Sequence, residues 1–167
     1  MKSVMLSTKP KYCELIASGK KTIEVRKTKP KIETPFKCYI YECIGKKLYN
    51  DYSDYKGCGK VIGEFVCDHI TEYPYEIFND GEHIMPFGDL EKTCLDGIEI
   101  YDYLGIEDGY GWHISDLKIY DKPKELREFY TWCPEYEREY ITSKCTKCRH
   151  YLINEFEQSW CYVEEVA

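Results

Sequence analysis

The stretch Gly19-Lys20-Lys21-Thr22-Ile23-Glu24-Val25-Arg26 constrains the fold more than any other part of the chain. It follows an amphipathic run, residues 9–18, in which Pro10 suits a first helical turn because its missing N–H leaves no bond unmade. Tyr12, Leu15, Ile16 and Gly19 fall on one face at helical spacing. Gly19 stands where a helix end takes a left-handed residue. From Thr22 to Lys27 polar and apolar residues alternate, as in a half-buried strand. The stretch therefore reads as helix, glycine turn, strand.

Its polar residues carry the first functional question. Thr22, Glu24 and Arg26 share one face of the strand, and Ile23 and Val25 point to the core. Glu24 and Arg26 stand about 7 Å apart along it. They pair with each other or face a ligand together. Lys21, at the turn, can lean toward the same mouth. A lysine, a carboxylate and a guanidinium suit a polar, hydrogen-bonding ligand. The plainer reading is a solvated face with a surface ion pair, which is worth little.

Ser7-x-Lys9-Pro10, then a helix, then Gly19-x-Lys21-Thr22-x-Glu24-x-Arg26 resembles the signature of the ASCH domain, a branch of the PUA-like superfamily. The resemblance covers roughly residues 3 to 130, plus a returning strand near the C-terminus. It implies an α+β fold: a small PUA-like mixed β-barrel with flanking helices and a cleft lined by the motif. It also implies RNA- or nucleotide-related work. Gly111-Trp112-His113-Ile114-Ser115-Asp116-Leu117-Lys118-Ile119-Tyr120 is similar to a strand late in such barrels.

At 167 residues the chain reads as a single ASCH/PUA-like domain over 1–167, long enough to bury a real core. Its 43% hydrophobic and 32% charged residues are those of a soluble globular protein. No apolar run reaches the roughly 18 residues of a membrane helix, and no signal-peptide core opens the sequence, so the expected location is cytoplasmic. The net charge of −7 argues against a general nucleic-acid coat. That charge is uneven. Residues 1–34 hold nine Lys/Arg and three Asp/Glu, for +6, and the remainder carries −13. A basic mouth on an acidic body fits a small anionic or nucleoside ligand better than a long duplex. The seventeen tyrosines fit strands with one wet face, or a surface that stacks on rings.

Along the chain, residues 3–7 read as a first strand and 27–35 as a loop punctuated by two prolines. Strands follow at 37–44 and 60–70, with Gly63 marking a bulge or a close backbone approach. Residues 71–108 form an excursion expected to cover one end, with helical turns at 75–78 and 90–94 and a short helix from Ile98 to Leu104 ended by Gly105. A strand returns over 109–120, and Pro123 can start a short helix through 129. Residues 131–158 form a C-terminal cysteine-bearing excursion before a closing strand at 159–164.

Ten cysteines in a chain of this kind are not read as disulfides. Cys13, Cys38, Cys43 and Cys67 fall in helix or strand patterns and suit small buried hydrophobes. Cys145-Thr146-Lys147-Cys148 is a C-x-x-C knuckle flanked by Cys133 and Cys161. Four thiolates close a tetrahedral structural Zn2+ site, which would staple the excursion to the closing strand; His150 is a substitute ligand. Free thiols are the competing reading, and a redox pair the least supported, since no thioredoxin-like strand precedes the knuckle.

Trp112 is a candidate wall that stacks on a base, or a core tryptophan with His113 on the wet face. The sequence has no H-E-x-x-H, phosphate-binding glycine loop, G-x-S-x-G or dinucleotide fingerprint. The leading expectation is an RNA- or nucleotide-binding module, with Ser7, Lys9, Lys21, Glu24, Arg26 and Trp112 at its ligand. The alternative is an enzyme with Lys21 and Glu24 in catalytic roles. Some small ASCH-type proteins are amidohydrolases acting on N4-acetylcytidine through the motif lysine, a threonine three residues later and a downstream glutamate. Lys21 matches that lysine, but Glu24 stands in the threonine's place. Glu82, Glu91 and Glu99 are the candidate downstream glutamates. Ribonuclease action is a third reading, without an evident His pair to carry it.

Overall fold

The structure, a computed structural model, describes residues 2–44, 56–75, 87–131, 153, 156 and 159–165. In chain order these form β1 (Ser3–Thr8), α1 (Pro10–Ala17), β2 (Ile23–Arg26), β3 (Phe36–Glu42), β4 (Lys60–Tyr73), α2 (Phe87–Thr93), α3 (Gly97–Leu104) and β5 (Gly109–Lys124). A single 3-10 turn, Leu126–Glu128, then leads into β6 (Phe129–Thr131) and β7 (Trp160–Glu165). The strands make one mixed sheet in the order β2-β5-β4-β3-β1-β7-β6. The α+β class holds. Among the described residues β2 and β6 are end strands, so hydrogen-bonded closure into a barrel does not follow from this order.

The chain divides into two compact units: Met1–Pro10, Lys37–Glu64 and Lys118–Ala167 in the first, Lys11–Phe36 and Phe65–Leu117 in the second. In the first, β1 runs parallel to β3, with Val4 opposite Cys38, and antiparallel to β7, with Val4 opposite Tyr162. Val4, Met5 and Leu6 are all buried, so β1 is covered on both faces, as strands with a parallel neighbour commonly are. Met5, Tyr39, Tyr41, Val61, Phe129 and Val163 centre its core, with Tyr39 edge-on to Phe129 at 4.8 Å.

Polar contacts show that this part of the sheet curls. Lys124 on β5 pairs with Glu165 on β7, although the two strands are four places apart in the order. A flat sheet would separate them by about 19 Å, beyond the reach of two side chains. Tyr39 also donates to Glu165 at 3.0 Å, and Tyr120 donates to Glu64 at 2.5 Å. Burial pushes the Glu64 carboxyl up, but hydrogen bonds from Lys37 and Tyr120 outweigh it and leave the group below the usual carboxylate range. Gly63 is the close approach its place in a strand implied. A Cβ there would lie 2.6 Å from the Lys118 carbonyl oxygen.

In the second unit α1 ends as its sequence predicts. Gly19 has φ of 73°, and the Gly19 and Lys20 N–H groups donate back to the Ile16 and Leu15 carbonyls. α3 starts on a capping box between Asp96 and Glu99 and ends at Gly105, φ 62°. Val25, Tyr73, Ile100 and Leu104 form a core, with Leu90 and Leu95 against it.

Three expectations are corrected. The region from Pro123 is not a helix: β5 runs on to Lys124, and only Leu126–Glu128 turns helically. Three residues give too few bonds to propagate a helix. The strand β3 ends at Glu42 rather than Ile44. The motif strand is not half-wet, because all four residues of β2 are buried. The turn expected at 75–78 lies outside the described residues beyond Tyr75, as does most of the cysteine-bearing excursion. No described helix is long and apolar enough to cross a membrane.

Candidate functional site

β2 pairs antiparallel with β5, placing Glu24 opposite Trp112, Arg26 opposite Tyr110 and Ile23 opposite His113. Glu24 and Arg26 therefore share a face, and they meet: Arg26 Nη2 lies 2.9 Å from Glu24 Oε1. Lys21 Nζ lies 3.3 Å from the other carboxylate oxygen, Glu24 Oε2. The three side chains form one charge network, Lys21–Glu24–Arg26, with a net charge of one cation. Relative exposures of 2, 6 and 8% take it out of the surface class, where an ion pair counts for little.

Two neighbours complete it. Lys21 Nζ donates to the Thr93 carbonyl at 2.5 Å, and the Thr22 N–H donates to the Lys92 carbonyl at 3.0 Å. Both acceptors belong to the last turn of α2, whose carbonyls have no partner within the helix. The Tyr12 ring lies 5.2 Å from the same ammonium, in cation–π range. Burial pushes the Tyr12 phenol up, and the Glu99 and Glu24 carboxylates add to it. Glu24 Oε2 is buried and accepts no hydrogen bond among the described residues; its contact with Lys21 is an ion pair without hydrogen-bond alignment.

Trp112 is wholly buried, edge-on to Phe36 at 5.8 Å and 85°. As the cross-strand partner of Glu24 it lies on the same face as the network, packed instead of offering an open ring. Ser7, half-buried on β1, and the exposed Lys9 belong to the first unit. Of the three glutamates, Glu99 is committed to the α3 cap and to Lys11 at 3.1 Å, Glu91 is exposed, and Glu82 lies outside the described residues.

Of the zinc candidates, Cys133, Cys145 and Cys148 lie outside the described residues, as does His150. Cys161 packs against the first unit's core, where burial pushes its thiol up to about 12. Among the described residues no three His, Cys, Asp or Glu side chains gather to hold a metal ion.

Sequence reading missed two features. The Thr93 carbonyl is a backbone group, which no motif names. The other is a histidine pair: His69 and His113 stack at 3.5 Å and 25°, with Asp68 2.7 Å from His69 Nδ1 and Thr71 2.8 Å from His113 Nε2. It lies on the face of β5 opposite Trp112 and depends on a strand register the sequence does not print.

The ASCH domain model matches residues 6–81, a little under half of the chain. The ASCH match spans β1 through β4 and contains Lys21, Glu24 and Arg26. Solved ASCH structures agree on the fold. The chain is similar to an ASCH protein from Zymomonas mobilis at 22% identity and TM-score 0.53, covering 74% of this chain and 73% of that one. A Tyr-to-Phe mutant of that protein gives 21% identity and 0.54, over 75% and 77%. A Ser-to-Ala mutant gives 21% and 0.52, over 74% and 74%. No curated protein matches the chain significantly.

Proposed function

We propose that this ASCH chain is an RNA- or nucleotide-recognition module that reads an unpaired base through Glu24. The observation that carries the reading is Glu24 Oε2, a buried carboxylate oxygen that accepts no hydrogen bond among the described residues. An amino or ring N–H of a base supplies the donor it lacks; carboxylates accept in this way from cytosine N4. Lys21 and Arg26 hold the carboxylate in place. The basic balance of residues 1–34 supports an anionic ligand. Trp112 serves as a packed neighbour of Glu24 on the same face, held against Phe36. Ser7 and Lys9 are proposed phosphate contacts, tested separately by Lys9→Ala.

The hydrolase reading gains less support. A general base must present a lone pair to water. Lys21 instead donates to the Thr93 carbonyl and faces a carboxylate. Structural Zn2+ at Cys133, Cys145, Cys148 and Cys161 stays a proposal resting on spacing, tested by metal analysis: one equivalent expected, none overturning it. The seven described cysteines are all free thiols, which fits the cytoplasmic location included in this reading.

Fluorescence anisotropy with labelled 12-nucleotide RNAs of each base tests the reading. The expected result is preference for cytosine or guanine, weakened at least tenfold by Glu24→Gln. Binding by no RNA or nucleoside overturns it. So does release of acetate from N4-acetylcytidine, or cleavage of the RNA, that Lys21→Met abolishes.

A further inference from the structure

α3 has two apolar sides. Ile100 and Leu104 are buried in the second unit's core. Ile98 and Tyr101, one turn apart on another side, are 72 and 48% exposed. Ile106, just past the Gly105 turn, is 77% exposed. A single exposed apolar residue needs no explanation, but three within nine positions make a patch of the kind that marks contact with another molecule.

The setting of the patch selects its occupant. Residues 94–117 contain six Asp and Glu and no Lys or Arg, and Lys11 and Lys27 from elsewhere in the unit pair with Glu99 and Glu107. Asp102 falls beside Ile98 on the helix, and Glu107 and Asp108 follow Ile106. With those two lysines counted the region keeps a net charge of −4, which disfavours a phosphate backbone, so it is not an extension of an RNA site. It complements a segment that is apolar on one face and rich in Lys and Arg beside it. α3 is about 12 Å long, so two to three turns of a partner helix cover it.

We infer that the outer side of α3, through Ile98, Tyr101 and Ile106, docks a basic amphipathic segment of a partner protein. The inference does not depend on the nucleic-acid reading. The test uses three labelled 18-residue peptides in fluorescence anisotropy: a Leu/Lys amphipathic helix, the same peptide with Ser for Leu, and the same with Glu for Lys. Only the first is expected to saturate, and the double variant Ile98→Ser, Ile106→Ser weakens it at least tenfold. Both side chains are exposed, so unchanged circular dichroism is expected to show the fold intact. Equal binding of the Ser-for-Leu peptide, or no effect of the double variant, overturns the inference. Self-association of the wild type that the double variant abolishes also overturns it, since the occupant is then a second copy.

Discussion

Lys21 donates its ammonium hydrogen to the Thr93 carbonyl at 2.5 Å, so a motif lysine closes the end of a helix about seventy residues away in sequence. The geometry gives Lys21 a structural duty beside any ligand duty. Removing Lys21 leaves Glu24 paired with Arg26 but strips the buried Thr93 carbonyl of its donor, and an unsatisfied buried acceptor costs about 1–3 kcal/mol. Lys21→Met is expected to lose stability on that scale in urea unfolding, with Lys21→Arg restoring part of it. A loss below about 1 kcal/mol would show that the network does not hold α2.

The histidine pair predicts a pH dependence. Burial pushes the His113 imidazole below its ordinary value, and the stacked His69 adds to that shift. The unfolded chain then binds the proton more readily than the folded one. The resulting stability is complete above the ordinary value of 6.5 and falls as pH drops through the lower folded value. His113 ring protons followed by NMR should titrate below that ordinary value, and His69→Ala should move them back toward it. A titration above 6.5 would contradict the stacked arrangement.

Gly63→Ala is expected to destabilise the protein by about 1–3 kcal/mol, because the added Cβ meets backbone that cannot swing aside. Gly97→Ala is the control. Nothing lies within 4 Å of its Cβ, and alanine is the better helix residue by about 0.5–1 kcal/mol. Thermal unfolding of the two variants should move in opposite directions.

Thiol labelling should follow burial. Burial pushes Cys67 and Cys161 up to about 12, with Asp68 adding at Cys67. Cys58 is exposed, although burial of its thiol and a bond to Glu42 raise it as well. Iodoacetamide at pH 8 should modify Cys58 well before the other two, read by mass spectrometry. Faster reaction at Cys161 would mean that β7 opens in solution.

The elements were legible where local chemistry decides them. Pro10 and Gly19 bracket α1, Gly105 ends α3, and alternation marked the motif strand. That Glu24 could pair with Arg26, or face a ligand with it, followed from strand spacing. Its burial did not. Alternation implies a wet face only if nothing covers it, and α2 arrives from residues 87–93 with backbone carbonyls that suit Lys21. The His69–His113 and Glu64–Tyr120 contacts were hidden for the same reason: both depend on which strands become neighbours and in what register.

The place of β7 in the sheet sets the timing of assembly on the ribosome. β1 is made well before β7, yet one of its edges pairs with residues 160–163, and among the described strands β6 neighbours β7 alone. Until those residues leave the exit tunnel, the nascent chain holds a long-made strand with an unpaired edge and lacks Val163 from its core. The first unit thus completes itself only once residues 160–165 are made, while the second, finished by residue 117, is free to form earlier.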